Sequence, residues 1–431
     1  MTRRMLVALI AAVATGLGAG GCATAALTDQ RDSAAVSGGP VTVTFWHCEQ
    51  GRAAEVLDEL AVEFSRSTPG VSVEPVYKGD AGELASGLPA AVSAGTAPVL
   101  AEVPDEALAE LRLTGTIRPL EPFLARRSGG LKAEDIADFW PCFIEMESVG
   151  REVWGLPFSH KIYALVYDRR RVDKPPSTWE ELRTSASVLT RREQDPAQSV
   201  FGLAFRPDTD LFVVFLYQNG GQLFTGDPPR MVFNSPEGTG CLDFLAELAT
   251  FRKVVLLTMG DPVEAVAAGR AAMAVAPVGW PPDRGPDPAV LAVAPLPAGR
   301  TRATLVPGTS LVLVSGHGAA QEKAAWEFLR WLVSPEIAAR WAAATGSVPI
   351  RRSTLDSPVW QQGPGSFPGL REVLSRQMDA VASLPPSVDL GRLRRELDTS
   401  IPPYLLGRVN SSQALLDGVL NRLSRESAGG P

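Results

Sequence analysis

From residue 41 the apolar positions alternate between two periods. Residues 41–46 are β-branched and aromatic, whereas 52–66 place Val56, Leu57, Leu60 and Phe64 three and four apart, the spacing of one helical face. Thr68, Pro69 and Gly70 stop that helix, and 71–77 return to a strand pattern. Residues 82–94 suit a second helix and 98–103 a third strand. This β-α-β-α-β order predicts a parallel sheet with helices on its faces.

A second α/β unit starts near Val153. Residues 161–167 read as a strand, and Pro175 and Pro176 break the chain before a helix. Ser177 with Glu180, or Thr178 with Glu181, offers a capping box for its start. Helices are expected over 236–252 and 263–270, a buried strand over 271–276, a strand over 311–314, and helices over 319–333 and 335–344. The chain from about 370 is mostly helical in pattern, with breaks expected at Pro385-Pro386 and at Pro402-Pro403. No internal repeat is evident.

The N-terminus has a different character. Arg3 and Arg4 precede an apolar run over 6–17, then Ala19, Gly20 and Gly21 lead to Cys22. That is the layout of a signal peptide over residues 1–21, shorter than a membrane span. A cysteine directly after small residues resembles the lipobox of bacterial lipoproteins, in which the thiol is lipidated, so Cys22 is the expected anchor; Ala19 stands where leucine is usual. Residues 22–40 then form a flexible tether. The G-x-G-x-x-G match at 16–21 falls inside the signal segment, with no strand before it, and carries no nucleotide site.

Composition narrows the function. The 431 residues are 45% hydrophobic and 21% charged, enough for a large core and for more than one domain. A net charge of −7 argues against nucleic-acid binding, which needs a basic face. Cys48, Cys142 and Cys241 are far apart and lack metal-site spacing; three free cysteines are expected, with one disulfide plus a free thiol as the alternative. No cofactor and no metal is called for. The three histidines form no H-E-x-x-H arrangement and no G-x-S-x-G elbow occurs, so binding rather than catalysis is expected. Glu180-Glu181 reads as a solvated helix start, not as the separated carboxyl pair of a glycosidase.

The resemblance rests on several segments in order: 45–51 with 55–60, Tyr77-Lys78-Gly79, 155–158 with 164–167, 175–182, 269–273 with Gly279-Trp280, 325–336 and 345–350. Together they resemble the extracellular solute-binding proteins of carbohydrate ABC importers, most closely the glycerol-3-phosphate-binding type, over nearly all of the chain from 41 on. The resemblance implies an α/β, two-lobed periplasmic-binding-protein fold of type II, each lobe a mixed sheet flanked by helices, joined by crossing segments. Residues 41–152 plus about 305–350 would form one lobe, and 153–304 plus about 351–431 the other. The implied protein is a monomer that captures a small sugar-like solute between its lobes and docks on membrane permease subunits.

Position by position, the resemblance suggests ligand contacts for Trp280, whose indole would face a sugar ring, and for Trp179, Asp105, His160, Lys161, and Gly308 with Thr309 and Ser310. His47 and Glu49 join them from the loop after the first strand. Each has a plainer alternative: core packing for the tryptophans, a helix cap for Asp105, a solvated strand end for His160 and Lys161, and turn formation for the rest. Asp80 and Ser347 stand where glycerol-3-phosphate binders carry tyrosines, and the proline near 386 where they carry an arginine, although Arg392, Arg394 and Arg395 are close by. A neutral or amino sugar, or an oligosaccharide, is therefore the expected ligand, with glycerol-3-phosphate or a glycerophosphodiester as the alternative. An exported carbohydrate-active enzyme and an adhesion lipoprotein are the remaining rivals.

Overall fold

The structure, a computed structural model, describes residues 40–428 apart from 125–128, 151, 196–197, 227–228, 280–288, 383 and 385–388. Trp280, Cys22 and the Pro385-Pro386 break lie outside the described residues.

Two five-stranded sheets organise the molecule. The first takes β1 (Val41–His47), β2 (Val71–Tyr77), β3 (Leu100–Pro104) and β4 (Leu156–His160) from the first half of the chain. The second uses β5 (Ile162–Asp168), β6 (Phe201–Phe205), β7 (Val255–Leu257), β8 (Ala271–Val278) and β9 (Leu291–Ala294). The chain then returns to the first sheet as β10 (Gly308–Leu313). The orders are β2-β1-β3-β10-β4 and β7-β6-β8-β5-β9. Each sheet therefore has the same plan: three parallel strands, then one antiparallel strand that has crossed from the other lobe, then a strand parallel to the first three.

The helices follow from the apolar spacing. Helix Arg52–Ser67 buries Val56, Leu57, Leu60, Ala61 and Phe64, and the Phe64 ring lies 5.0 Å from that of Phe328 on helix Ala319–Leu332. Burying such a side chain stabilises by roughly 1.5–3 kcal/mol. Asp80 caps helix Ala81–Ser93 by accepting from Glu83 N–H at 2.8 Å, while the Glu83 side chain accepts from Asp80 N–H. At helix Trp179–Leu189 the expected cap is Thr178, which accepts from Glu181 N–H; the Glu181 carboxylate accepts from Ser177 instead.

Three expectations change. The first sheet extends past residue 152 through β4, so the crossing falls at Lys161, the single residue between β4 and β5. The tail stays with helix Pro335–Thr345 through the short helices Arg352–Asp356 and Pro358–Gln362, and reaches the second sheet only with helix Leu370–Gln377, which packs on β9. Pro402 and Pro403 do not end their helix, which runs Asp389–Leu405. The missing N–H groups are tolerated because Leu397, Ile401 and Leu405 are fully buried in the second core, and that packing outweighs the local cost.

Candidate functional site: the cleft between the lobes

A cavity of about 540 Å³ lies between the lobes. Glu49 and Gln50 line it from the end of β1, Ser159, His160 and Lys161 from the crossing, Asp261 and Glu264 from helix Pro262–Ala267 and the residue before it, Gly279 from the end of β8, and Thr345 and Ser347 from the end of helix Pro335–Thr345. It sits at the carboxyl ends of β1, β4 and β8, where open α/β sheets bind ligands. A smaller space between the lobes, about 40 Å³, is walled by Asp105 and Glu106 on one side and Asp210 and Arg394 on the other.

The crossings brace the floor of the cleft. Lys161 N–H donates to Pro307 O and Tyr163 N–H to Leu305 O, both at 3.0 Å, so the outgoing and returning segments run side by side. Thr304 joins a third segment, donating from its N–H to Ala380 O and accepting from Ala382 N–H. Gly308 is required there: a Cβ on it would lie 2.3 Å from His160 Cδ2 and 2.4 Å from Ser159 O. Its role is close approach of backbone to the buried His160 ring.

Two polar networks lie under the first lobe's rim. In one, Glu102 in β3 accepts from Cys48 N–H at 3.1 Å and from the Thr309 hydroxyl at 2.7 Å. Burial, then the Glu102 charge, push the Glu49 carboxyl up to about 8. Burial also raises the Cys48 thiol and lowers His47, leaving both neutral.

In the other network the Ser310 hydroxyl lies 2.9 Å from Asp105 Oδ1 and 2.8 Å from Glu147 Oε1. One hydroxyl hydrogen cannot serve both, so one carboxyl group must donate. Glu147 is fully buried and pushed well above the carboxylate range, by burial first and then by Asp105, so it holds the proton. His160 Nε2 is 3.2 Å from Asp105 Oδ2, and its ring stacks obliquely on Phe143 with centroids 4.5 Å apart. A bulge between Thr309 and Ser310 allows the neighbouring hydroxyls to serve the two different networks.

The expected site residues thus divide. Glu49, His160 and Lys161 line the large cavity; Asp105 lines the small one; Thr309, Ser310 and Gly308 support both from β10. His47 is buried behind Glu49, between Phe45 and Tyr77. Trp179 lies in the packing of the second lobe, its ring stacked on Phe244 at 4.5 Å and its N–H donated to Gln218 at 2.7 Å, and it lines neither cavity. Sequence reasoning missed Glu102, Glu147 and Asp210. A charge in the otherwise apolar run 98–103 was the available signal for Glu102; Glu147 sits among other polar residues and gave none. Arg394, noticed only as a neighbour of an expected position, is in the small cavity, 2.7 Å from Asp210 and 3.8 Å from Glu106. Among the described residues Cys48, Cys142 and Cys241 form no disulfide, and Cys48 is only half-buried. Among the described residues no cluster suits a metal ion, and no helix is long and apolar enough to cross a membrane.

Paired mixed sheets of identical plan, three crossings and a polar cleft define a two-lobed binding protein of the type II periplasmic class. The chain belongs to the family described as bacterial extracellular solute-binding protein, whose profile matches residues 59–368. It is 25% identical over 417 residues to the sn-glycerol-3-phosphate-binding periplasmic protein UgpB of Yersinia pseudotuberculosis, covering 88% of this chain and 91% of that one. It is 24% identical over 332 residues to the maltotriose-binding protein of Pyrococcus abyssi, covering 75% and 69%. Among solved structures, UgpB from Mycobacterium tuberculosis in complex with glycerophosphocholine superposes with a TM-score of 0.75 at 18% identity, over 90% of this chain and 98% of that one. Membership places the protein's work outside the cytoplasm.

Proposed function

We propose that the protein is the solute-capturing subunit of an ABC-type importer for a sugar or sugar-derived solute, held at the outer face of the membrane by a lipid on Cys22. The observation that carries this reading is the 540 Å³ cavity, walled by both lobes and lined by hydrogen-bonding side chains, at the carboxyl ends of strands from both sheets. Capture needs no bond-making group. It needs hydroxyl-matching donors and acceptors, here Glu49, Ser159, Lys161 and Ser347, with Asp105 and His160 beneath, and lobes that rotate about the crossings to close. Trp280, next in sequence to the cavity-lining Gly279, is the proposed aromatic platform. Permease subunits would dock on the closed form.

Calorimetric titration with mono-, di- and trisaccharides and with glycerophosphodiesters tests the reading: micromolar or tighter binding of a sugar-like solute supports it, and no binding across the panel overturns it. Membrane fractionation of Cys22→Ala tests the anchor; release of the variant is expected and retention would sink it. The second reading, a glycerophosphodiester ligand, has Arg394 in its favour, a guanidinium facing Asp105 across the small cavity. Against it, Arg394 is already held by Asp210.

A further inference from the structure

Beyond the reading of the cleft, we propose that the second lobe carries a membrane-facing surface at the end of its sheet opposite the cleft, where basic side chains and exposed apolar ones together engage an anionic phospholipid surface.

The topology gathers the bases. β8 reaches the cleft at Gly279, so the amino ends of the parallel strands β6, β7 and β8, and the carboxyl end of antiparallel β5, lie at the far end of the sheet. Arg191, bridged to Val200, and Arg192 lie beside the start of β6; Arg252 and Lys253 precede β7, Arg270 precedes β8, and Arg169 follows β5. All six are exposed, in a chain whose net charge is −7. Of the acids near them, Asp168 is buried and held by Arg170 and Arg171 at 2.8 and 3.5 Å, and Glu247 is held by Arg183 and Arg252 at 3.0 and 2.6 Å; Asp173, Glu193 and Asp195 are exposed. Arg191, Lys253 and Arg270 make no ion pair among the described residues.

Three helices end beside these bases. Thr250, in the turn Glu247–Phe251 that extends helix Pro236–Ala246, donates its hydroxyl to Leu405 O at 2.8 Å; Arg192 donates to Lys253 O; and Arg183 of helix Trp179–Leu189 reaches Glu247. The segments 188–192, 250–253 and 405–409 are thus joined into one surface. It shows Phe251 at 81% exposure, Val188 at 75%, Leu406 at 51% and Val409 at 39%, four of the nine exposed large hydrophobic side chains among the described residues. Bases at helix carboxyl ends answer the helix dipole, but apolar side chains gathered among them do not. The turn is also strained: Lys253, with φ 54°, is the one non-glycine residue in the left-handed region among the described residues. Bases that attract anionic headgroups, beside aromatic and aliphatic side chains that enter the interface, are what a lipid surface recognises. The bases spread along the whole end of the sheet rather than converging on a pocket, which suits a fluid array of headgroups. Resting on this end, the protein turns its cleft away from the lipid and open to solute.

Vesicle sedimentation provides the test, on the chain from residue 22, which includes every described residue, carrying Cys22→Ala so that no attached lipid contributes. Vesicles of phosphatidylcholine alone are compared with vesicles of phosphatidylcholine and phosphatidylglycerol in equal parts. Binding to the anionic vesicles should be at least about tenfold tighter at low salt and should be lost at about 1 M salt, where charges are screened within about 3 Å. Reversing Arg191→Glu, Lys253→Glu and Arg270→Glu together should remove that preference, and Phe251→Ala should weaken binding several-fold. The fluorescence of Phe251→Trp should shift to the blue on anionic vesicles. Melting curves report whether each variant folds; should the triple variant not fold, the salt dependence and the Phe251→Trp emission decide. No preference for anionic vesicles, a preference that survives the triple reversal, or an unshifted Phe251→Trp emission overturns the inference. Self-association in sedimentation velocity that is lost in Phe251→Ala, without vesicle binding, overturns it in favour of a second copy of the chain on this face. Failure leaves the solute-capture reading standing, since the sugar titrations read the other end of the lobe.

Discussion

The two lobes share a strand order and differ in how their strands end. In the first lobe, carboxyl groups in β3, just after it and ahead of β4 are held by hydroxyls at the start of β10 and by a backbone N–H after β1: Glu102 by Thr309 and Cys48, Asp105 and Glu147 by Ser310. In the second lobe, the polar groups near the small cavity are an ion pair, Arg394 with Asp210. Asp208, which caps the helix carrying Asp210, is pushed up to about 6 by burial and then by Asp210. A network of short side chains on strands is rigid; an arginine on a helix can swing. One topology can thus supply a fixed floor on one side of a ligand and an adjustable wall on the other.

The largest effect is expected at the crossing. Gly308→Ala puts a Cβ into His160 and the Ser159 carbonyl, and should cost about 3 kcal/mol by overpacking, read by chemical denaturation. The matching change in the second lobe, Gly279→Ala, meets Lys161 Cγ at 3.1 Å, a side chain that can move, and should cost under about 0.5 kcal/mol. Equal costs would break the contrast between a fixed and a yielding side.

Next comes the first-lobe network. Glu102→Ala strands the Cys48 N–H and the Thr309 hydroxyl, and should destabilise by about 2 kcal/mol. For the second lobe, a double-mutant cycle between Arg394 and Asp210 should give a coupling of about 1 kcal/mol, and one between Arg394 and Glu106 only a few tenths. A larger coupling to Glu106 would make Arg394 a clamp between lobes rather than part of one wall.

The last test is of pH dependence. Glu49 is raised from 4.5 to about 8 in the folded protein, so the folded state holds more protons than the unfolded one between those values. Its contribution to stability is therefore greatest at low pH and is lost as pH rises through that window. The melting temperature of wild type should fall relative to Glu49→Gln from pH 5 to pH 8; parallel profiles would show that Glu49 titrates normally.

Much of the frame was legible because burial leaves a period. The strand 71–77 and the starts of helices at 52, 236, 319 and 335 agree with the apolar spacing. The site was legible where a polar residue ends or closely follows a strand, as Glu49, Asp105, His160 and Lys161 do. Glu147 is brought to Ser310 by the fold across 163 positions, and no local pattern encodes that meeting. Trp179 shows the opposite difficulty: a large aromatic at a helix start suits a ligand platform and a core equally, and Phe215 and Phe244 decide it by stacking on the ring. Pro402 and Pro403 show local propensity yielding to tertiary burial.

The return of β10 to the first sheet bears on the order of assembly. β5 through β9 lie within one continuous stretch, so the second sheet can form as soon as that stretch is available. The first sheet has to wait, because β3 and β4 are not neighbours until β10 inserts between them, and the Asp105–Ser310 contact spans 205 positions. Closing so long a loop is slow. The sheet that begins the chain is therefore the later of the two to close, and until then the acidic floor of the cleft lacks the β10 hydroxyls that hold it.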